Sequence, residues 1–333
     1  MTIYDISEKA GVSIATVSRV LNGSANVSEK TRQKVLAVID RYEYTPNAFA
    51  RGLGLNTMKT IGVLCADSSD LYLAKAIYHI ERQLRANGYN SILCCSGYEL
   101  SAKAESLNLL VTQKVDGIIL VGSNYIYEKS DDNRYIADAA LSAPVMLLNG
   151  ALDAPNVYSI VSDDYTSMYE ATSRMIESGV RDILYFYNSK SYSGKKKLSG
   201  YLAAMREHAL TPMDEFYHGS HEDIHAMTNH LKDLCSEGVS FHGFIASDDT
   251  LALAGVKYAH EKGLRIPEEL SVIGYNNSML ARCCDPELTS IDNKLETLCQ
   301  HLTDTLMGVL AGKEMPKKTI FSGDLITRGT TQL

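Results

Sequence analysis

Short side chains between residues 13 and 22 form a pattern suited to contact with the edges of nucleic-acid bases. Arg19 is the one charged residue of this stretch, and its guanidinium fork can pair with the O6 and N7 atoms of guanine. Ile14 and Ala15 offer only apolar contact, for example with the methyl group of thymine. A helix in the major groove reads bases with side chains of this kind near its N-terminal end. The polar members of the pattern are Ser13, Thr16, Ser18 and Asn22.

Two short amphipathic helices joined by a tight turn are predicted to carry these residues. Thr2 and Asp5 have the spacing of a capping box at the start of the first helix. Gly11 supplies the turn, and Ser13 is a good N-cap for the second helix, which is predicted to end at Asn22-Gly23. The apolar residues that recur on the inner faces are Ile3, Ile6, Ala10, Val17, Val20 and Leu21.

A third helix is predicted to brace this pair, because Ser28 is a good N-cap for the segment SEKTRQKVLAVIDRYEY. Two short helices joined by a Gly-containing turn and supported by a third form a helix-turn-helix. The charge distribution agrees with this interpretation. Residues 1–59 contain eight Lys and Arg against five Asp and Glu, whereas the whole chain carries a net charge of −8, so a basic head precedes an acidic body. The inward residues of the third helix are Val35, Leu36, Val38 and Ile39.

From residue 60 onward, apolar strand patterns alternate with amphipathic helix patterns. TIGVLCA, NSILCCS and DGIILVG are strand-like segments of a first series. A second series begins near residue 158 and includes DILYFYNS, FHGFIASDD and LSVIGYNN. Such alternation predicts parallel sheets covered by helices on both faces. Two series predict two doubly wound lobes, with ligands bound beyond the carboxyl ends of the strands.

Composition and motifs argue against several other classes of protein. The 45% hydrophobic and 22% charged content is that of an ordinary globular protein. The seven scattered cysteines include no C-x-x-C, so we expect free thiols in the reducing cytoplasm. No apolar run approaches the roughly 20 residues of a membrane span, and the N-terminus does not resemble a secretory signal. The sequence contains no G-x-S-x-G, P-loop or clustered His pattern, so neither an enzyme, a metal nor a cofactor is expected.

The segments IYDISEKAGVSIATVSRVLNG and VSEKTRQKVLAVIDRYEYTPNAFARGL resemble the head of the lactose/galactose-repressor (LacI/GalR) family nearly position for position. The segments TIGVL, VDGIILV, PVMLLN, LSVIGY and ITRGTT follow in family order, so the resemblance covers essentially the whole chain. It implies an all-α helix-turn-helix head and an α/β body of two doubly wound parallel-sheet lobes, like the periplasmic binding proteins. It also implies a transcriptional regulator whose DNA affinity changes when a small effector, usually a sugar, binds between the lobes.

By this resemblance the helix-turn-helix spans residues 1–45, the hinge spans 46–59 and the body spans 60–333. We assign residues 60–158, 283–292 and 318–333 to the first lobe of the body. Residues 159–282 and 293–317 are assigned to the second lobe, so that the chain crosses between the lobes near 282–293 and again in the last strands.

The resemblance also implies a set of DNA contacts. Ile14, Ala15 and Arg19 occupy base-reading positions, and Ala50, Arg51 and Leu53 contact DNA from the hinge. Glycines at 52 and 54 each cost about 1 kcal/mol relative to Ala in a helix. We therefore expect the hinge to become helical only when two copies pair on DNA, with Leu53 as a minor-groove wedge; the alternative is a plain flexible linker. Phosphate-facing positions are Thr2, Tyr4, Ser13, Ser18, Asn22, Asn26, Ser28, Thr31, Tyr44 and Asn47.

Eleven effector-binding positions follow from the same resemblance. The family often has Arg where this chain has Lys197, Asp where it has Asn276, and an aromatic NPFF-like segment where it has SDLYLA. Lysine lacks the guanidinium fork and an amide is not an all-acceptor group, so a common hexose is not the expected ligand. The positions are Leu71, Ser123, Asn149, Val161, Ser191, Ser193, Lys197, His221, Asp248, Asn276 and Asn293.

A paired hinge and a palindromic operator require two-fold symmetry, so a homodimer is expected. Only QL follows ITRGTT and no heptad repeat is present, which argues against a coiled-coil tetramer. The sequence leaves open whether the effector is an inducer or a co-repressor, and whether a partner protein acts as coeffector. A sugar-binding transport protein and an α/β enzyme are the rival classes. DNA binding by residues 1–59 would distinguish a transcriptional regulator from both of them.

Overall fold

Three short helices pack around a small apolar core to form the head of the molecule. The computed structural model describes residues 1–21, 24–44, 57–221 and 223–333. Thr2 and Asp5 form the predicted capping box, and Gly11 adopts the left-handed conformation with φ of 57°. The predicted inner faces meet in a core of Ile6, Ala10, Val17, Val20 and Val35. The helices are α1 (Ile3–Ala10), α2 (Ile14–Leu21) and α3 (Glu29–Arg41).

The first lobe of the body is built on a six-stranded sheet whose strand pairs are all parallel, in the order β11-β5-β4-β3-β1-β2. Its strands are β1 (Thr60–Cys65), β2 (Asn90–Cys95), β3 (Gly117–Val121), β4 (Val145–Leu148), β5 (Val157–Ser162) and β11 (Lys318–Phe321). Helices α4 and α12 cover one face of this sheet, and α5 and α6 cover the other. They are α4 (Leu71–Ala86), α5 (Leu100–Thr112), α6 (Arg134–Ala140) and α12 (Leu295–Leu310).

The second lobe repeats the design with the strand order β12-β10-β9-β8-β6-β7, in which only the β10–β12 pair is antiparallel. Its strands are β6 (Ile183–Tyr187), β7 (Met213–Phe216), β8 (Gly243–Ala246), β9 (Ser271–Tyr275), β10 (Thr289–Asp292) and β12 (Asp324–Ile326). Helices α7 and α8 pack on one face, and α9, α10 and α11 on the other. They are α7 (Asp164–Glu177), α8 (Tyr192–Glu207), α9 (Ile224–Ser236), α10 (Asp249–Lys262) and α11 (Met279–Cys283).

The two-lobed architecture is confirmed, but the predicted lobe boundaries are wrong in several places. Strand β5 completes the first sheet, so the first crossing lies after residue 162 and not at 158. Strand β10 pairs with β9 of the second lobe, although residues 283–292 were assigned to the first. Helix α12 packs on the first sheet, although residues 293–317 were assigned to the second lobe. The final segment divides, since β11 joins the first sheet and β12 the second.

These errors have one physical cause. Local hydrophobic patterns identify a strand or a helix, but the sheet that an element joins depends on packing against residues far away in the sequence. Because the chain crosses three times, both lobes are discontinuous in sequence. No helix in the described part of the chain is long and apolar enough to cross a membrane.

Close packing of α7 against α8 generates a stability prediction at Gly200. An added Cβ there would lie 2.3 Å from the carbonyl oxygen of Tyr165. We expect Gly200→Ala to destabilise the protein by about 1–3 kcal/mol through overpacking, although Ala is the better helix former. Gly308→Ala in α12 is the matched control, because the three atoms nearest to its added Cβ all belong to the flexible side chain of Met315. Urea unfolding followed by circular dichroism measures both, and equal midpoints would contradict the prediction.

Candidate functional site

Helix α2 presents the predicted base-reading residues on one exposed side. Ser13 caps the helix as predicted, because its Oγ accepts a hydrogen bond from the Thr16 N–H at 3.2 Å. Ile14, Ala15 and Arg19 are exposed, while the opposite side of the helix is buried in the core of the head. An amphipathic helix of two turns thus leaves these three side chains free to contact another molecule.

The remaining predicted DNA contacts that the structure describes also lie at the surface of the head. Thr2, Tyr4, Asn26 and Ser28 are exposed, and none of the others is buried. Several of their hydroxyls already satisfy helix ends; Ser28 Oγ, for example, accepts from the Thr31 N–H at 3.3 Å. Those of intermediate exposure are Thr16, Ser18, Thr31 and Tyr44. The predictions for Asn22, Asn47, Ala50, Arg51 and Leu53 lie outside the described residues.

A cleft of about 700 Å³ lies between the two lobes, where the carboxyl ends of the parallel strands meet. This volume is within the usual range of small-molecule pockets. Val161 is the predicted position that does not line the cleft; it lies within β5 and is only 3% exposed. The predicted positions that line it are Leu71, Ser123, Asn149, Ser191, Ser193, Lys197, His221, Asp248, Asn276 and Asn293.

Tyr72 anchors a hydrogen-bond network on the floor of the cleft. Its hydroxyl accepts from Asn149 Nδ2 at 2.5 Å and from Asn293 Nδ2 at 3.3 Å. Asn293 Nδ2 also donates to Asn276 Oδ1 at 3.1 Å, which links the floor to the second lobe. Burial raises the pKa of Tyr72 well above its ordinary value, so the group stays protonated. Since the phenol oxygen already accepts two bonds, its own proton remains available for donation.

Lys197 is a buried cation held between a carbonyl oxygen and an aromatic ring. Its Nζ donates to the carbonyl oxygen of Ser247 at 2.8 Å and lies 3.7 Å from the centre of the Tyr275 ring. Burial lowers the pKa of Lys197, and the negative charge of Asp164 opposes that shift. The Tyr275 hydroxyl in turn donates to Asp164 Oδ1 at 2.6 Å. The lysine is therefore fixed in position at the wall of the cleft.

Two carboxylates face the cleft as the N-caps of helices from opposite lobes. Asp70 accepts from the Leu73 N–H at 2.8 Å at the start of α4, and Asp248 accepts from the Leu251 N–H at 2.9 Å at the start of α10. The second oxygen of Asp248 is 2.9 Å from His221 Nε2. Each N-cap thus fixes one carboxylate oxygen and leaves the other directed at its surroundings.

The two carboxyl groups differ in their electrostatics. Burial raises the pKa of Asp70, helped by the negative charge of Asp248 and opposed by the charge of His221. Burial alone would also raise the pKa of Asp248, but the hydrogen bond and charge of His221 outweigh it and hold that pKa below its ordinary value. These interactions place Asp70 and the His221–Asp248 pair opposite one another across the cleft.

Direct contacts join the lobes along one side of the cleft. Ser123 Oγ donates to Ser191 Oγ at 2.8 Å, and Lys195 Nζ lies 2.6 Å from Glu128 Oε1. Both contacts connect the segment after β3 to the first turn of α8. Movement of one lobe against the other must break or remake them.

Family models and known relatives match both the head and the body of the chain. The family model "Bacterial regulatory proteins, lacI family" matches residues 2–47, and the model "Periplasmic binding protein-like domain" matches residues 172–331. An HTH-type transcriptional regulator from Lachnoclostridium phytofermentans is 53% identical over 332 residues, covering 99% of both chains. The HTH-type transcriptional repressor PurR from Edwardsiella ictaluri is 31% identical over 325 residues, covering 96% of this chain and 93% of that one.

The chain belongs to the lacI family of bacterial regulatory proteins. It is a DNA-binding transcriptional regulator with a periplasmic-binding-protein-like body, and its relatives are regulators rather than enzymes. A Lac repressor dimer bound to operator and the anti-inducer ONPF superposes with a TM-score of 0.88 at 24% identity, covering 100% of this chain and 99% of that one. At this identity the likeness shows a shared fold.

Several residues that line the cleft of this lacI-family regulator escaped the sequence analysis. Asn188 and Ser247 directly follow β6 and β8, and Asp67 lies two residues after β1, so the rule that ligands bind beyond the carboxyl ends of strands could have found them. Asp70 carries the signal of an N-cap before an amphipathic run. Tyr72 lies in the segment SDLYLA, which the resemblance places at the cleft, but the residue itself carries no signal, because an aromatic residue in a helix is usually part of the core.

The raised pKa of Asp70 predicts that Asp70→Asn stabilises the regulator at neutral pH. A buried carboxyl that must ionise reduces the stability of the folded protein, and Asn is an equally good N-cap. An acid with a raised pKa binds protons more tightly in the folded state. The wild type therefore gains stability relative to the variant as pH falls through the folded pKa towards 3.8. The gain in melting temperature should be largest near pH 7 and shrink towards about pH 4.

Thermal melts of Asp67→Asn are the matched control. Hydrogen bonds from Ser69 lower the pKa of Asp67, so its charge contributes stability above the unfolded pKa. This variant should show no gain at neutral pH. Equal shifts for the two variants, or a gain for Asp70→Asn that grows towards acid pH, would contradict the assignment.

Proposed function

We propose that this lacI-family regulator is a cytoplasmic repressor that binds a palindromic operator as a homodimer. Its DNA affinity changes when a small molecule, a sugar or sugar derivative, occupies the cleft. One observation carries the proposal: the same chain holds a surface helix with Ile14, Ala15 and Arg19 exposed and a polar cleft of about 700 Å³ between two lobes. One molecule thus combines a helix suited to reading DNA bases with a cleft suited to binding a small ligand.

The DNA-reading part of the proposal rests on the chemistry of α2 and its surroundings. Arg19 supplies a bidentate contact to guanine, while Ile14 and Ala15 favour a thymine methyl group. The hydroxyls of Thr2, Tyr4 and other surface residues of the head supply phosphate contacts that position the helix. Beyond the described residues, Leu53 is proposed to enter the minor groove at the operator centre.

The effector part rests on the polar lining of the cleft and on neighbours of known structure. Amide and carboxylate groups from both lobes suit the hydroxyls of a carbohydrate. The transcriptional regulator CelR in complex with cellobiose has a TM-score of 0.69 at 22% identity over 99% of this chain. A ligand held by both lobes changes their relative position, and allostery is the coupling free energy between that change and DNA binding.

The homodimer is supported by an exposed apolar edge on the first lobe. Strand β2 forms one edge of the first sheet, and its Ile92 and Leu93 are 37% and 46% exposed. Tyr78 on the adjacent α4 is also exposed. Long apolar sheet edges are normally covered, and association with a second copy would cover this one.

Arg19→Ala tests whether α2 reads bases. Selection from randomised duplexes should enrich a palindrome, and the variant should bind it about 1–3 kcal/mol less tightly per half-site with relaxed preference at one base pair. Tyr4→Phe is the control, because loss of a phosphate contact weakens binding to all sequences alike. Fluorescence anisotropy measures both. An unchanged sequence preference in Arg19→Ala would contradict its role.

Leu93→Asp tests the dimer. A charge on the exposed edge of β2 should be tolerated by the monomer but not by a two-fold interface, so sedimentation should change from twice 36.6 kDa to 36.6 kDa. Leu141→Asp is the control, because Leu141 is 84% exposed at the end of α6, away from this edge. A wild-type monomer, or a Leu93→Asp dimer, would refute association through β2.

A further inference from the structure

The chemistry of the cleft restricts the charge of its ligand. Among the described helices of eight or more residues, four begin at the cleft, and a helix N-terminus ordinarily attracts an anion. In α4, α9 and α10 that position is already filled by the carboxylates of Asp70, Asp223 and Asp248. Of these four helices, α8 is the one that begins with a neutral cap, Ser191. The protein's own anions therefore occupy three of the four helix starts where a phosphate or carboxylate of a ligand would otherwise bind.

The cations near the cleft are engaged by other groups. Lys197 Nζ bonds to Ser247 and faces the Tyr275 ring, as described above. Lys195 pairs with Glu128, and Lys190 Nζ lies 4.4 Å from the centre of the Phe216 ring. None of these three lysines is paired with Asp70. The fourth basic side chain, His221, is bonded to Asp248, so the charge of Asp70 has no cationic hydrogen-bond partner among the described residues.

Asp70 is the carboxylate with the most free capacity. Among the described residues it accepts hydrogen bonds only from backbone donors at the start of its own helix. Its neighbours across the cleft are His221 and Asp248, which are already bonded to each other. A ligand group placed between the lobes at this point therefore meets an acceptor in Asp70 and needs to be a hydrogen-bond donor.

The floor of the cleft gives an independent indication of the ligand. Asn293 is only 2% exposed, and its Oδ1 has no hydrogen-bond partner within the described chain. A buried acceptor without a partner is costly, so a ligand donor is its natural complement. The proton of the Tyr72 hydroxyl is available beside it. An alcohol group both donates and accepts, and it would satisfy Asn293 and Tyr72 together.

We infer that the effector is a polyhydroxyl compound without phosphate or carboxylate groups, and that Asp70 is the residue that rejects anionic analogues. The inference rests on the proposed function, since it concerns the same cleft, and it narrows the ligand class. An anionic group beside Asp70 is repelled in a partly desolvated site where solvent screens poorly. Discrimination of at least about 100-fold in Kd is expected for such a like-charge contact.

Matched sets of compounds test this inference. Glucose, galactose, xylose and cellobiose are offered to the full-length protein with, where they exist, the corresponding phosphate, uronate and 2-amino analogues. Isothermal titration calorimetry gives the Kd values, and fluorescence anisotropy with the selected operator gives the effect on DNA affinity. A neutral or amino sugar should bind, and its anionic partners should bind at least about 100-fold more weakly.

Variants then locate the discrimination. Asp70→Asn keeps the helix cap and should reduce the preference for the neutral sugar at least about tenfold. Asp67→Asn removes the same charge from the same cleft, but its carboxylate is solvent-accessible and held by Ser69, so it should change the preference little. Raising the salt concentration should leave most of the wild-type preference intact, because the Asp70 carboxyl is largely buried.

The outcomes separate this inference from the proposed function. Tighter binding of a phosphate or uronate that also shifts operator affinity would overturn the inference and uphold effector control. Equal effects of Asp70→Asn and Asp67→Asn would overturn the role of Asp70 alone. Operator binding that no compound of any charge class alters, with no heat of binding, would overturn both the inference and the carbohydrate effector.

Discussion

Parallel strand order within each lobe is the constraint on which the functional geometry depends. In a parallel sheet the carboxyl ends of neighbouring strands share one edge, and the helices that follow begin there with unpaired N–H groups. Asp70, Ser191 and Asp248 satisfy such groups at the starts of α4, α8 and α10. Because those helix starts face the other lobe, the residues that cap the helices are also the residues that a ligand meets.

Burial of polar groups at this edge has an energetic consequence. The pKa of Asp70 is raised and that of Lys197 is lowered, each chiefly by burial, so both charges lower the stability of the folded protein. The unpartnered Oδ1 of Asn293 adds to this cost. Such groups are retained at binding sites because a ligand can supply the hydrogen-bond partners that the folded protein lacks. The protein is less stable without the ligand, and this is a common cost of function.

The crossings between the lobes explain how a ligand can influence the position of each lobe. The chain passes between them after β5, after β10 and between β11 and β12, each time within a few residues. Asn293 lies in the second crossing and bonds to Tyr72 of the first lobe and to Asn276 of the second. A group that binds Asn293 therefore acts on a residue that already contacts both lobes, where short connections confine the motion to a hinge.

The head and the alternating strands and helices of the body could be predicted from the sequence because their signals are local. Caps such as Thr2, Gly11 and Ser28 and the apolar periodicity of α1 to α3 act over a few residues, and the structure has them where they were expected. Ten of the eleven residues assigned to the cleft by resemblance also line it. The exception, Val161, lies on a strand, where a one-residue difference in alignment turns the side chain to the opposite face.

Long-range packing decided the rest. The sequence of α12 is that of an amphipathic helix that either lobe could accept, and only its contacts with Ile61 and other residues of the first sheet assign it. Tyr72 and Asn293 are 221 positions apart in the sequence, so no local pattern predicts their hydrogen bond. By itself the sequence determined which elements form and where each begins. The tertiary structure decided which sheet each element joins and which polar groups meet, because those choices depend on contacts between distant parts of the chain.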